Sequence, residues 1–247
     1  MSDNAEQDVE SGSAPEGQST DDRREAAKRQ GTPGSGVTPD AKRVDPGAPE
    51  EFGLVQVWWG DGKGKTTAAL GMGARAAGHG YRVHMVQFMK GGADSVEDVR
   101  GEYNAIAALP GFTYENTGHY GWHGMRDGSA EDDHAAKAQG GLQRTRDLLD
   151  TAHEADLTSP FPLEADADAG MHLLILDEIL YAVDKGLVDE EAVLDLIADK
   201  PDDLELVLTG SHTKPEFLYD HADLVTEVGK EKHPIGEGQR ARKGTEF

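Results

Sequence analysis

Short apolar runs alternate with amphipathic stretches along the chain from residue 54 onward. The runs are rich in aliphatic, β-branched or aromatic residues and end at turn formers, which predicts strands at residues 54–59, 81–89, 112–114, 172–176, 204–208 and 224–228. The intervening stretches predict helices at residues 65–78, 94–109, 130–155, 179–185, 190–199 and 215–221. Several strands are apolar on both faces. This pattern predicts an α/β fold with a mainly parallel sheet and helices on both faces.

Residues 1–50 have a different composition. They contain no Leu, Ile, Phe, Tyr or Trp and are built mainly from Ser, Gly, Pro, Ala, Asp and Glu. Such a stretch buries too little apolar surface to offset the chain entropy lost on folding. We therefore predict a disordered acidic tail at 1–50 and a folded domain at 51–247. Within that domain, residues 158–170 carry prolines and alternating Asp and Ala, which predicts a surface insertion.

The chain is strongly acidic, with 24 Lys and Arg against 47 Asp and Glu and a net charge of −23. Residues 1–50 contribute −5, so residues 51–247 carry −18. This charge argues against nucleic acid or an anionic membrane as a partner, because both would be repelled. Acidity spread along a whole domain is typical of a surface adapted to high salt. The alternative is an ordinary acidic cytosolic protein whose charge keeps it in solution.

The absence of cysteine from the sequence excludes disulfides, thiolate metal sites and cysteine nucleophiles. No window approaches the roughly 18 apolar residues of a membrane span, and the N-terminus lacks a basic segment followed by an apolar one. We therefore expect a soluble, cytoplasmic protein.

The first candidate for chemistry is a glycine-rich loop between the first predicted strand and the first predicted helix. The loop, called the glycine loop below, comprises Gly60, Asp61, Gly62, Lys63, Gly64, Lys65, Thr66 and Thr67. Glycines let backbone N–H groups approach a phosphate, Lys65 can reach phosphate oxygens, and the Thr66 hydroxyl can hold Mg²⁺. The general phosphate-loop pattern requires glycine at position 59, where this chain has Trp59. Lys63 is equally compatible with a phosphate contact and with solvent.

The second candidate is the acidic pair Asp177 and Glu178, which follows the buried strand predicted at 172–176. Ligands of parallel sheets bind at the carboxyl ends of the strands, so either carboxylate can hold Mg²⁺ directly or through water. Two other interpretations remain at this point. The pair can simply favour a helix N-terminus, or Glu178 can act as a general base that activates water.

Further sequence segments, taken together with the glycine loop and the acidic pair, give a specific pattern. They are Q-F-M-K-G at 87–91, G-F-T-Y-E at 111–115, L-D-E at 176–178, T-G-S at 209–211, A-D-L-V-T-E-V at 222–228 and K-H-P at 232–234. Together with G-D-G-K-G-K-T-T-A-A-L-G at 60–71 and A-A-G-H-G at 76–80, these segments make residues 54–247 resemble the P-loop class of ATP:corrinoid adenosyltransferases. The shortened glycine loop is similar to the loop variant of that family.

The resemblance implies a P-loop NTPase-like (RecA-like) three-layer architecture and a transferase. The reaction it implies moves the 5′-deoxyadenosyl group of ATP to the cobalt(I) of cob(I)alamin or cob(I)yrinic acid a,c-diamide and releases triphosphate, in cobalamin biosynthesis or salvage. Lys65 and the loop amides would neutralise the triphosphate, and Thr66 with Glu178 or Asp177 would hold Mg²⁺. A homodimer and an electron-donating reductase are also implied.

Phe112 and Tyr114 stand two residues apart on a predicted strand and therefore share one face. The resemblance implies that both rings face the corrin and displace the lower axial ligand of cobalt(II), which makes the cobalt easier to reduce. Their ordinary role would be core packing.

The chain also departs from the family pattern. Tyr114 stands where Trp is common, Ser211 where Arg is expected, and residues 118–127 do not follow the pattern. His119 and His123 lie in that divergent segment, and without a third ligand they are more typical of loop histidines than of a metal site. The alternative functions are a small-molecule kinase or ATPase, which would release ADP, and a nucleotide-dependent protein that delivers adenosylcobalamin.

The high-salt interpretation predicts that molar KCl raises the stability of the protein, because screening removes repulsion among its carboxylates. Urea unfolding in low salt and in molar KCl measures this directly. We expect a higher urea midpoint in KCl, and equal midpoints in the two buffers would instead favour an ordinary acidic protein.

Overall fold

The computed structural model describes residues 41–90, 101–118 and 131–239, together with residues 242, 244 and 245. Several sequence predictions lie outside these residues: most of the disordered tail, the start of the helix at 94–109, and His119 and His123. One compact unit spans Val44–Phe247. Its first residues pack on the domain, since the Gly47 amide donates to the Gly80 carbonyl at 3.0 Å. The unit therefore begins a few residues before position 51.

Within the described ranges, strands and helices alternate along the chain. The strands are β1 (Val55–Trp59), β2 (Val83–Gln87), β3 (Phe112–Asn116), β4 (Leu173–Asp177), β5 (Glu205–Thr209) and β6 (Leu224–Glu227). The α-helices are α1 (Lys65–Gly78), α2 (Gly101–Ala107), α3 (Glu131–Glu154), α4 (Ile179–Asp184) and α5 (Glu190–Asp199). Short 3₁₀ turns lie at Ala167–Ala169, Glu216–Leu218 and Pro234–Glu237. The helix predicted at 215–221 is thus one of these turns, since its bonds run from Leu218 to Pro215 and from Tyr219 to Glu216.

The six strands form one sheet in the order β3-β2-β4-β5-β1-β6, and every pair of neighbours is parallel. With helices on both faces, this sheet confirms the predicted three-layer α/β architecture. Parallel pairing aligns the carboxyl ends of the strands along one edge. At that edge Gln87 of β2 lies beside Asp177 of β4.

The core has two layers because side chains alternate along each strand. On β4, Leu173 and Ile175 pack with residues of α1 and α2, whereas Leu174 and Leu176 pack with residues of α3, α4 and α5. All four side chains are almost completely buried. Their burial on both faces explains why this strand reads as a continuous apolar run.

The segment 158–170 is fastened to the domain by a buried arginine. Arg82 is 1% exposed, and its guanidinium donates hydrogen bonds to the carbonyls of Leu163 and Ala165. Leu163 and Ala167 are themselves buried. The segment therefore covers part of the core as well as presenting an exposed side.

An ion-pair network ties the edge strand β3 to α3. Arg144 donates to both carboxylate oxygens of Glu115, at 2.8 and 3.0 Å, and to Asp168 at 2.7 Å. The His84 ring nitrogen Nε2 lies 3.3 Å from Glu115 Oε1. His84 and Arg144 together lower the pKa of Glu115 from 4.5 to about 2.

A pKa below the unfolded value means that ionised Glu115 stabilises the fold above about pH 4.5, and this contribution disappears as pH falls toward 2. We expect Glu115→Gln to lower the free energy of unfolding by about 1 kcal/mol at neutral pH, because solvent weakens a partly exposed pair. Urea unfolding from pH 7 downward should show the difference shrinking below pH 4.5.

Asp168→Asn provides the matched control, because the Asp168 side chain is 62% exposed and binds the same arginine. Its effect should be smaller than that of Glu115→Gln. A Glu115→Gln difference that stays constant over the pH range would contradict the assignment.

Candidate active site

The glycine loop is held by the segments that follow β5 and β6. The Gly60 amide donates to the Ser211 carbonyl at 3.1 Å, and the Gly62 amide donates to the Val228 carbonyl at 2.7 Å. The Asp61 carboxylate accepts from the Lys230 amide at 2.9 Å. Asp61 therefore anchors the loop, and the amides of both glycines are engaged in doing so.

Two of the loop glycines are required by close packing and a third by its backbone angle. A Cβ atom on Gly60 or Gly62 would lie 2.4 or 2.6 Å from the Val228 carbonyl oxygen, which is too close for any side chain. Gly64 has open space around it but a φ of +121°, a conformation that other residues rarely adopt. This turn directs the chain into α1.

Lys65 begins α1 and is folded over the glycine loop. Its side chain is 8% exposed, and Nζ donates to the carbonyls of Gly60 at 2.6 Å and Gly62 at 3.1 Å. Burial lowers the pKa of this amine, while the nearby carboxylates of Glu178 and Asp177 oppose that shift. The first turn of α1 contains no acidic residue of its own, and the positive end of its dipole favours an anion at this position.

The remaining loop positions present their side chains differently. Lys63 and Thr67 are exposed, whereas Thr66 is half-buried and contacts β4. The exposure of Lys63 is compatible both with a phosphate contact and with a side chain that only faces solvent, the two interpretations made from the sequence.

The centre of the site is the carboxylate of Asp177, which is 0% exposed at the end of β4. Its Oδ1 accepts hydrogen bonds from the hydroxyls of Thr66 at 2.9 Å and Thr209 at 2.7 Å. Its Oδ2 accepts from Lys90 Nζ at 2.7 Å and Gln87 Nε2 at 3.2 Å. Burial alone would raise the pKa of Asp177, but Lys90 and these hydrogen bonds hold it below its ordinary value.

Glu178 has a strained backbone, with φ +63° in the left-handed region. Its amide donates to Thr209 Oγ1 at 3.0 Å, and a Cβ atom on Gly210 would lie 3.1 Å from its Cα. Glycine at 210 therefore makes room for this turn. Burial and the adjacent Asp177 charge raise the pKa of Glu178, so the two neighbouring carboxyls differ in how readily they take up a proton.

The donor set fits magnesium. A hydroxyl that donates its hydrogen to a carboxylate directs its lone pairs elsewhere, and Thr66 does this toward Asp177. Hydroxyl and carboxylate oxygens are ligands that Mg²⁺ prefers, usually completed by water and substrate phosphates. The described residues include no group of three or more His, Cys, Asp or Glu arranged to hold a metal by themselves. Water and phosphate oxygens would complete the shell.

Phe112 and Tyr114 share the α1 face of the sheet, as their spacing predicts. Phe112 is 4% exposed and packs against α1, where a Cβ atom on Gly73 would lie 2.6 Å from its ring. Tyr114 is half-buried and stacks on Tyr103 with ring centroids 4.8 Å apart. In this conformation Phe112 is a core residue, and Tyr114 is the more accessible of the two rings.

A cavity of about 640 Å³ opens beyond the carboxyl end of β3. Its lining comes from the end of that strand and the first half of α3: Asn116, Thr117, Asp133, Ala136, Lys137 and Gly140. The Thr117 amide donates to the Gln87 carbonyl at 3.0 Å, which places this cavity near the strand end that contacts Asp177.

Four contributors to the site were not predicted from the sequence: Gln87, Lys90, Thr209 and the carbonyl of Ser211. All four lie in segments that the resemblance singled out, Q-F-M-K-G and T-G-S. Ser211 replaces an expected arginine, yet its main chain holds Gly60. The two sequence segments marked these residues as part of the family resemblance. Only the fold shows which groups each residue contacts.

Comparison with known proteins identifies the family. A model of the family "ATP:corrinoid adenosyltransferase BtuR/CobO/CobP" matches residues 51–247. The chain belongs to this family. Corrinoid adenosyltransferases of Pseudomonas aeruginosa and Salmonella typhimurium are 34% and 31% identical to it over 205 residues. The match spans 81% of this chain, with 86% of the Pseudomonas protein and 88% of the Salmonella protein.

A corrinoid adenosyltransferase of Escherichia coli K12 is 29% identical over the same span. Family membership confirms the predicted resemblance and makes the chain a transferase that acts on ATP and a corrinoid.

Among the described residues, no helix is long and apolar enough to cross a membrane.

Proposed function

We propose that the chain transfers the 5′-deoxyadenosyl group of ATP to the cobalt(I) of cob(I)alamin or cob(I)yrinic acid a,c-diamide and releases triphosphate, in cobalamin biosynthesis or salvage. The observation that carries the proposal is the contact between Thr66, in the glycine loop, and the buried Asp177 carboxylate. It joins a loop suited to phosphates with an acid suited to a metal. The family match covers both halves of this contact.

In the proposed reaction the protein need not form a covalent bond with either substrate. Cobalt(I) supplies the electron pair for the new bond to C5′, the C5′–O bond breaks, and triphosphate leaves with the electrons of that bond. No side-chain nucleophile is required, so the residues contribute position and charge stabilisation. In this scheme the Lys65 amine exchanges its loop carbonyls for triphosphate oxygens, next to the N-terminus of α1.

Magnesium belongs to the same scheme, with Thr66 and Asp177 or Glu178 as its protein ligands. When bound it would supply positive charge to the departing triphosphate. The raised pKa of Glu178 and the lowered pKa of Asp177 favour Asp177 as the carboxylate that is ionised throughout.

The corrin side is assigned to Phe112 and Tyr114. Tyr114 is partly exposed, whereas Phe112 must leave its place against Gly73 to reach a corrin. The proposal also includes a homodimer in the cytoplasm and a reductase that delivers the electron needed to reach cobalt(I).

An anaerobic assay with ATP, Mg²⁺ and chemically reduced corrinoid should yield an adenosylated corrinoid and triphosphate over many turnovers. Lys65→Ala should lower kcat by about 100-fold or more, because one charge that stabilises the leaving group is lost. Absorption spectra follow the corrinoid, and ion-exchange chromatography identifies the phosphate product.

Lys200→Ala is the matched control. Lys200 is a half-buried lysine that precedes β5, so it lies toward the amino ends of the strands, whereas the glycine loop and Asp177 lie at their carboxyl ends. This variant should retain the parental rate. ADP as the sole nucleotide product would contradict the proposed reaction and favour a kinase or ATPase. A single turnover without further product would favour a delivery protein.

The axial-ligand role predicts that Phe112→Ala and Tyr114→Ala leave ATP binding intact but impair reaction from cobalt(II) at least about 10-fold more than reaction from pre-reduced cobalt(I). Both starting states are assayed with each variant. Thermal unfolding runs in parallel, because Phe112→Ala also opens a core cavity that costs about 3–5 kcal/mol. An equal relative loss from both cobalt states would mean that these rings serve packing alone.

A further inference from the structure

The side chain of Lys90 contacts both Thr66 and Asp177. Lys90 follows β2 and directs its ammonium group between two oxygen ligands, with Nζ 2.7 Å from Asp177 Oδ2 and 3.2 Å from Thr66 Oγ1. The Thr66 hydroxyl gives its hydrogen to Asp177 and accepts from Lys90, so the amine occupies the lone pair that a metal would use. The same two residues form the protein part of the proposed magnesium site.

The main chain of Lys90 is fixed while its side chain has two acidic partners. The Lys90 amide donates to the Phe88 carbonyl at 2.9 Å, and its carbonyl accepts from the Gly118 amide at 2.8 Å. A Cβ atom on Gly118 would lie 2.2 Å from the Lys90 nitrogen, so glycine is needed for this contact. Movement of the ammonium group therefore depends on side-chain rotation.

The second partner is Glu102 on α2. Its Oε1 lies 3.9 Å from Lys90 Nζ, and this buried oxygen accepts no hydrogen bond within the part of the chain that the structure describes. A short rotation of the Lys90 side chain away from Thr66 would bring the amine into hydrogen-bond distance of that oxygen. Lys90 thus has an alternative counter-charge next to its present one.

We infer that the Lys90 ammonium is an internal substitute for the metal, which occupies the Thr66–Asp177 position in the nucleotide-free protein and is displaced toward Glu102 and the triphosphate when metal and nucleotide bind together. The inference rests on the proposed function, because ATP supplies the anionic oxygens that favour displacement. Lys90 is a positioning residue. It keeps the buried carboxylate paired and makes metal binding depend on nucleotide.

The physical reason is competition between cations. A divalent ion and an ammonium group cannot share the position between Thr66 and Asp177, because like charges at contact distance repel strongly away from water. Free metal must therefore displace the amine without help from phosphate oxygens. The metal–nucleotide complex brings additional ligands for the metal and new acceptors for the amine.

Mn²⁺ binding without nucleotide tests the inference, measured by electron paramagnetic resonance of the free ion. The parental protein should bind Mn²⁺ weakly, and Lys90→Met should bind it about 10-fold more tightly or better, because the competing charge is gone. Lys90→Arg should stay close to the parental value, since it restores the charge. Unchanged affinity in Lys90→Met would overturn the inference.

Two variants control for charge and location. Lys200→Met removes the same unit charge at the opposite edge of the sheet and should leave Mn²⁺ affinity within about twofold. Lys90→Met combined with Asp177→Asn should lose the gained affinity, since the carboxylate ligand is removed. A gain that persists in this double variant would place the ion elsewhere and overturn the inference.

Stability provides a second readout, because Lys90→Met leaves the Asp177 carboxylate buried without its cation. Its melting temperature should fall in metal-free buffer and rise on adding Mn²⁺ by more than that of the parental protein. A variant that Mn²⁺ does not stabilise would count against the inference. No corrinoid or turnover enters these measurements, so failure of the proposed reaction would appear separately, as absence of adenosylated corrinoid from the parental protein.

Discussion

The site depends on a single buried charge, the carboxylate of Asp177. A carboxylate removed from water is tolerated only when hydrogen bonds and an opposite charge replace its hydration. The donors come from separate parts of the chain: Thr66 from the start of α1, Gln87 and Lys90 from the end of β2 and the turn after it, and Thr209 from the end of β5. Parallel pairing brings these chain positions to one edge of the sheet, so the topology is what makes this charge possible.

The end of β5 joins the two halves of the site. Thr209 binds the Asp177 carboxylate and the Glu178 amide, and Gly210 leaves room for the left-handed turn at Glu178. The next residue, Ser211, accepts from the Gly60 amide and so holds the glycine loop. Three consecutive residues therefore set the distance between the glycine loop and the acidic pair Asp177–Glu178, although none of the three carries charge.

The sequence predicts the layers of the fold well, because they depend on local patterns, and local patterns also supply the candidate site residues. Apolar runs and amphipathic spacing involve residues close together in the sequence, so strands and helices can be predicted from them. The glycine loop and the Asp177–Glu178 pair are each contiguous in sequence and can be recognised in the same way. Lys90 and Thr209 could not be assigned in the same way, since a lone polar residue at or just after the end of a strand acquires its partner only from the register of the sheet. Spacing likewise puts Phe112 and Tyr114 on one face but does not give the depth at which each ring packs.

The arrangement also explains how an acidic protein can accommodate a polyphosphate. Carboxylates on the rest of the surface act through water and salt, which screen them beyond about 8–10 Å at physiological ionic strength. Within the site, Lys65 and Lys90 face the carboxyl groups of Asp177, Glu178 and Glu102, so much of this negative charge is paired before any ligand arrives. Any metal bound there together with the phosphates would add positive charge that offsets theirs. Long-range repulsion thus disfavours large polyanions, while the two lysines within the site offset its carboxylates and let a small anion bind.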